Sequence, residues 1–295
     1  MKILVTGGAG FIGSSLIKEL SKSIGNEIIS IDNYSSGLIK NHIENVKYIQ
    51  ANTWDIKYII NDNFAEFKPD IVFHMGEYSR IHQSFDEISN VYKSNTWGTQ
   101  QVFEYALKHK AKLVYSGSSA IFGQEHNKNL SPYAFTKSNN THLLYNYKKW
   151  FDLDYCICYF FNVYGGGQIK TGNYATVIGI FEDQYVNNLP LTIVKPGTQT
   201  RCFTHIDDII RGILLVAEKG SGDGYLLGSK DEISINNVVT MFDTESILIN
   251  ERKGERYSSS VESNKSETEL GWKSKIKLKD YIKNFKKNKK NIRNL

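Results

Sequence analysis

The chain is poor in cysteine: three in 295 residues, Cys156, Cys158 and Cys202, all in apolar, strand-like stretches without metal-ligand spacing. That excludes a disulfide-stapled secreted scaffold and leads us to expect a reducing compartment. The seven histidines form no H-E-x-x-H or comparable cluster, so no metal is expected. No apolar run approaches the length of a membrane span, and no leader is expected before the first strand at Lys2. The expected location is therefore the cytoplasm, without membrane insertion. Internal repeats and low-complexity linkers are also absent, and the length suits one large α/β unit plus a smaller lobe.

Charge is present but uneven. Residues 273–295 carry +9, which leaves −4 of the +5 total for the rest. A basic end can serve nucleic acid or an anionic membrane surface. Here Leu278, Ile282 and Phe285 recur at helical spacing, and no aromatic interleaving or second basic patch accompanies them. A solvated final helix is expected, and no nucleic acid partner.

Strand-like runs at 2–6, 27–31, 46–50, 70–74, 112–116 and 154–160 alternate with helical stretches, the longest at about 86–109. Such alternation predicts an α/β fold: a doubly wound parallel Rossmann sheet whose ligands sit at the carboxyl ends of the strands. After residue 161 the pattern breaks into shorter elements. We expect a dinucleotide-binding domain over 1–161, rejoined by 203–220, and a mixed α/β substrate lobe over 162–295.

The first strand runs directly into glycines at Gly7, Gly10 and Gly13. Gly7 suits the tight turn, Gly10 lets a pyrophosphate approach the main chain, and Gly13 lets helix and strand pack closely. The free N–H groups of the helix start attract the phosphate charge. Asp32 ends the second strand, where a carboxylate accepts from ribose hydroxyls and repels a 2′-phosphate. No arginine follows it, so NAD is favoured over NADP.

Further on, Tyr133 and Lys137 stand four apart, just after Ser131-Pro132, a helix-start signal that sets both on one face. An ammonium beside a phenol favours the phenolate. Upstream, strand 113–116 leads into the segment Gly117–Gly123, whose serines can hydrogen-bond both the phenol and a substrate hydroxyl.

In this order, the segments Thr6–Gly13, Asp70–His74, Asn95–Thr99, Ser116–Gly123, Tyr133–Lys137, Phe161–Gly165, Arg201–Asp208 and Leu270–Trp272 resemble the extended short-chain dehydrogenases/reductases of the nucleotide-sugar epimerase/dehydratase family. The resemblance implies that Tyr133 takes a proton from the sugar 4-hydroxyl while the C4 hydride passes to NAD. It makes Ser118, counted back from Gly123, the residue that orients the hydroxyl, and Lys137 the one that binds the nicotinamide ribose. Around the cofactor it places Phe11, Ile12, Asn33, Asn52, Thr53, Met75, Gly76 and Asn95. For the substrate it implies Asn162, two diphosphate arginines, Arg201 and Arg252, and Glu255 on the nucleotide ribose. Ser259, four past that acid, matches the gate at the sugar's C2 side; being small, it would admit an N-acetyl group. Uridine is preferred on family frequency.

Relatives that eliminate water carry an Asp-Glu pair directly after the strand-end hydroxyl residue; here those positions are Ser119 and Ala120. Neither can do acid–base work at neutral pH. The expected activity is 4-epimerisation of a UDP-hexose or UDP-N-acetylhexosamine, against a 4,6-dehydratase, a 4-dehydrogenase or a non-catalytic NAD-binding protein. Glu77 departs from the family's small residue and reads either as a base or sugar ligand, or as a partner of Arg80. Two places look short: the loop between Gly123 and Tyr133, and the lobe segment Asp231–Arg252, which seems too brief for a helix and a strand. A homodimer is expected through helices near 88–108 and 133–150, with Leu143, Leu144 and Tyr147 as an apolar stripe.

Overall fold

Six runs rich in β-branched and aromatic residues form the strands β1 (Lys2–Thr6), β2 (Glu27–Asp32), β3 (Lys47–Gln50), β4 (Ile71–His74), β5 (Lys112–Ser118) and β6 (Tyr155–Phe160). The computed structural model describes residues 1–63, 66–122 and 130–293, with side chains described except at 60–63 and 290–293. A seventh strand, Gly222–Leu227, pairs parallel with β6 and completes the sheet in the order seventh strand, β6, β5, β4, β1, β2, β3. All pairings in it are parallel, as expected for the doubly wound fold.

Alternate residues serve opposite layers. Leu4, Val72, Leu113 and Tyr115 pack with Val102, Phe103 and Leu144 of the helices Thr99–His109 and Pro132–Phe151. Ile3, Val5, Phe73 and Val114 face the other way, onto Leu16, Ile17, Ile209, Ile213 and Trp272. Each such aliphatic side chain contributes about 1.5–3 kcal/mol of burial. Because the strands are buried on both faces, they read as continuous apolar runs.

The segment that returns to the sheet does so as the helix Ile206–Lys219 and continues past residue 220 into the seventh strand. The boundary expected at 220 thus moves to 227, because only Tyr225-Leu-Leu227 in that strand is apolar and the glycines before it read as a turn. Trp272 is tied to the same helix by an indole N–H donated to the Asp208 carbonyl at 2.9 Å.

The lobe has its own core of Tyr164, Phe181, Leu191, Phe203, Val238 and Phe242, closed by Leu278 and Ile282 of the final helix Leu278–Arg293. The basic end is thus a packed helix with a solvated face, as its periodicity indicates. Asp231–Arg252, expected to be too short, holds the strand Glu232–Ser234, the helix Ile235–Phe242 and the strand Ser246–Ile249. Ser234 makes this economy possible by ending the strand and capping the helix through the Asn237 N–H. The shortened loop before Tyr133, including Gly123, lies outside the described residues.

The long helix near 86–109 comes in three joined pieces, Ile88–Tyr92, a π-turn Lys93–Gly98, and Thr99–His109. At the widened turn Asn95 is buried, and the Gly98 backbone lies so near Thr53 that a Cβ would meet Oγ1 at 2.1 Å.

Candidate active site

The carboxyl ends of β1, β2, β4, β5 and β6 open into one cleft of about 940 Å³ between sheet and lobe, enough for a ligand of dinucleotide or sugar-nucleotide size. Its cofactor wall is mostly backbone. Gly7 sits at φ +71°, and a Cβ there would meet Gly76 Cα at 2.7 Å; one on Gly13 would meet the Gly7 carbonyl at 2.1 Å. Gly10 caps the helix Phe11–Leu20, and Phe11, Ile12 and Gly13 line the cleft with it. Asp32 Oδ2 accepts the Ala9 N–H at 2.9 Å and Oδ1 the Tyr34 N–H at 2.8 Å, bracing the turn while the residue still lines the cleft. Asn33, Asn52, Thr53, Met75 and Gly76 complete this wall. These residues fit a dinucleotide: a cradle that admits no Cβ, a helix start for phosphate and an acid at the ribose position.

Asn95 does not line the wall. Its amide is consumed inside: Oδ1 accepts the Tyr78 N–H at 2.7 Å, and Nδ2 donates to the Tyr78 carbonyl and to Thr136 Oγ1. It holds the loop after β4 in place, which corrects its expected contact with the cofactor.

Ser131 caps the helix Pro132–Phe151 by accepting the Ala134 N–H at 3.1 Å, which sets Tyr133 and Lys137 on the face that lines the cleft. Among the described residues the Tyr133 phenol has no protein hydrogen bond, so it is free for a substrate hydroxyl. Ser118, the last residue of β5, lines the cleft and accepts the Ala120 N–H at 3.1 Å. Ser116 donates instead to the His74 carbonyl at 2.8 Å, a supporting role.

Lys137, expected on the nicotinamide ribose and beside the phenolate, also has a protein partner. Its ammonium is paired with Glu77 Oε2 and donates to the Ser116 carbonyl at 2.5 Å; the two side chains are 4% and 2% exposed. Glu77 Oε1 accepts from Thr99 at 3.0 Å, Tyr115 at 3.1 Å and Asn140 at 2.9 Å. Burial pushes the Glu77 carboxyl up, and Lys137 followed by the two hydroxyls draws it back. Glu77 does not pair with Arg80; it lines the cleft with both oxygens engaged in this network. Beneath lies His74, bonded to Thr6 and Thr99, with burial and then the Lys137 charge lowering its pKa to about 3.

On the substrate wall, Arg201 is paired with Glu255 and also donates to the Thr200 and Arg256 carbonyls. Burial lowers its pKa and the Glu255 charge opposes that. Glu255, expected on the nucleotide ribose, thus has one oxygen engaged by Arg201. Arg252 is exposed at the rim, and Asn162 lines the cleft with a buried, unpartnered Oδ1. Ser259 is not at the gate. It is 3% exposed, absent from the cleft wall, and its hydroxyl accepts from Arg256 at 3.2 Å. Arg256 lines the cleft instead, and sequence reasoning missed it, as it missed Thr99, Tyr115 and Asn140. For Arg256 the signal was present: a second arginine, one residue past Glu255.

Residues 3–228 match the NAD dependent epimerase/dehydratase family. The chain belongs to this family. It is 30% identical to a protein of Methanocaldococcus jannaschii named for UDP-glucose 4-epimerase activity, over 95% of this chain and 96% of that one. Among solved structures, a UDP-glucose 4-epimerase of Thermotoga maritima with UDP-glucose superposes with a TM-score of 0.89 at 26% identity, covering 98% and 99% of the two chains. A UDP-glucuronic acid 4-epimerase of Bacillus cereus, with UDP-glucuronic acid and NAD, gives 0.86 at 26% identity, covering 99% and 100%. Decarboxylases and dehydratases stand at similar identities. The chain is thus an NAD-dependent enzyme of the nucleotide-sugar epimerase/dehydratase class, and no helix among the described residues is long and apolar enough to cross a membrane.

Proposed function

We propose that the enzyme inverts C4 of a UDP-sugar, a UDP-hexose or UDP-N-acetylhexosamine, through a transient 4-keto sugar. The observation that carries this is the Tyr133 phenol, unpartnered by protein, in a cleft shared with Ser118 and Lys137. NAD, when bound against Gly7–Gly13 and Asp32, supplies a hydride acceptor and donor for C4. Tyr133 takes the 4-hydroxyl proton and later returns it, and Ser118 orients that hydroxyl. Lys137, fixed by Glu77 and Ser116, holds positive charge near the developing phenolate. Arg201, Arg252 and Asn162 hold the diphosphate.

A 4,6-elimination needs an acid for the departing hydroxide and a base for the C5 proton. Ser119 and Ala120 stand at the strand end, and of the acids that line the cleft Glu77 and Glu255 are ion-paired. This favours epimerisation. Incubating the protein with a panel of sugar nucleotides and resolving products by NMR tests it: an axial/equatorial switch at C4 is expected, and loss of the 6-hydroxyl would refute it.

We also propose a homodimer through the helices Ile88–His109 and Pro132–Phe151, with a different face from the one expected. Leu144 and Tyr147 are buried in the core, whereas Tyr92, Trp97, Phe135 and Tyr145 are exposed. A monomer by light scattering at micromolar concentration would refute it.

A further inference from the structure

A carboxylate stands where the family carries a small residue, and three separate elements are shaped to receive it. Glu77, on the loop after β4, meets the Lys137 ammonium through Oε2 and accepts at Oε1 from Thr99, Tyr115 and Asn140. These donors come from the helix Thr99–His109, from β5 and from the helix Pro132–Phe151. The Asn140 amide is oriented by a second acceptor, the Asn95 carbonyl at 2.7 Å, so its nitrogen faces Glu77. An ammonium and an amide N–H can only donate, so Glu77 meets both as a carboxylate.

Lys137 is therefore a matched charge. Its N–H groups go to Glu77 and to the Ser116 carbonyl, and it lies over the Tyr115 ring at 4.9 Å. His74, beneath, adds no charge at neutral pH, since burial and then Lys137 lower its pKa to about 3. Burial and then the Glu77 charge keep the Tyr115 phenol protonated. Tyr133 stands one helical turn before Lys137, and both line the cleft. A bare ammonium at that spacing draws the titration of a neighbouring acid down by about 1–3 pH units. An ammonium with a carboxylate against it draws far less. From other elements the cations that act on the Tyr133 phenol are Arg80, on the loop after β4, and Arg256, in the lobe, where Glu255 partly balances Arg256.

We propose that Glu77 is a positioning residue that cancels most of the Lys137 charge at Tyr133, so that the enzyme becomes active at a higher pH than the same site with a bare lysine. Lys137 then works mainly through its donors, while Arg80 and Arg256 carry the net positive charge that faces the ring. This deepens the C4 reading above, on which the role of Tyr133 rests.

The test follows the Tyr133 ring against pH in the NAD-loaded protein, by NMR of Cζ-labelled tyrosine assigned with Tyr133→Phe. The acid limb of kcat/KM is measured in parallel on the sugar nucleotide the enzyme uses best. Glu77→Gln leaves Lys137 unmatched and is expected to move both midpoints to lower pH by about one unit or more. A merely structural Glu77 would instead lower the plateau and leave the midpoints in place. A midpoint that stays, or moves up, in Glu77→Gln overturns the proposal. Should Glu77→Gln fail to fold, Glu77→Gln combined with Lys137→Met decides, because it removes both charges together. Its ring midpoint is expected within about one unit of wild type; a larger upward move would mean that the Lys137 charge reaches the phenol uncancelled, and overturns the proposal. The ring is read without substrate, so the expected midpoints with no C4 chemistry support the charge balance and remove the C4 reading. C4 inversion with a ring midpoint that Glu77→Gln does not move leaves the C4 reading standing and removes this one.

Discussion

The two walls of the cleft are built differently. The cofactor wall is backbone: a glycine turn with no room for side chains and a helix start, braced by one carboxylate, Asp32. The substrate wall is side chains brought together from Arg80, Asn162, Arg201 and Arg256, segments far apart in the chain. A backbone site tolerates almost no substitution and resembles itself wherever it occurs. A wall of converging side chains can change its ligand one residue at a time.

The largest expected effect joins the walls. Tyr133→Phe should lower turnover about 10²–10⁴-fold while NAD stays bound, because it removes only the phenolic proton acceptor. Activity within a few-fold of wild type would take Tyr133 out of the mechanism.

Next, Glu77→Leu should destabilise the fold by about 3–5 kcal/mol, since it strands the Lys137 ammonium in a buried site. Denaturant unfolding reads this. A loss below about 1 kcal/mol would mean that water reaches Lys137 and that the pair is not sealed.

A pH effect of similar size follows from His74. With its folded pKa near 3 against an ordinary 6.5, the unfolded chain binds the extra proton first. Stability should be full above pH 6.5 and fall as pH drops towards 3, by up to roughly 4 kcal/mol. His74→Gln should flatten that slope; an unchanged slope would place the acid sensitivity elsewhere.

The smallest effect sharpens the substrate wall. A gate at Ser259 would make Ser259→Tyr exclude N-acetylated sugars selectively; with Ser259 buried against Arg256, the substitution should instead depress all sugar nucleotides together. A selective loss, read as a change in the ratio of kcat/KM values, would restore Ser259 to the gate.

How much was legible follows the same division. β1 to β6, the cofactor turn, Asp32, Tyr133 and Lys137 all rest on local signals: period, glycine spacing, a capping serine before a proline. The seventh strand escaped because its glycines hide three apolar residues, and Asp231–Arg252 because serving both as strand end and as helix cap saves residues. Glu77 was noticed but given the wrong partner. Its nearest cation in sequence, Arg80, is not its nearest in space, since the loop after β4 turns Glu77 inward to Lys137, sixty residues away. Asn95 escaped for a related reason, as the π-turn spends its amide on the main chain of Tyr78.

The central claim is that the C4 hydride leaves and returns within one binding event. A UDP-sugar deuterated at C4, incubated with the isolated protein and no added cofactor, tests this most directly. The account predicts product inverted at C4 with the deuterium still on C4 and no NADH absorbance accumulating. Stoichiometric NADH with a released keto sugar, or a product lacking its 6-hydroxyl, would contradict it.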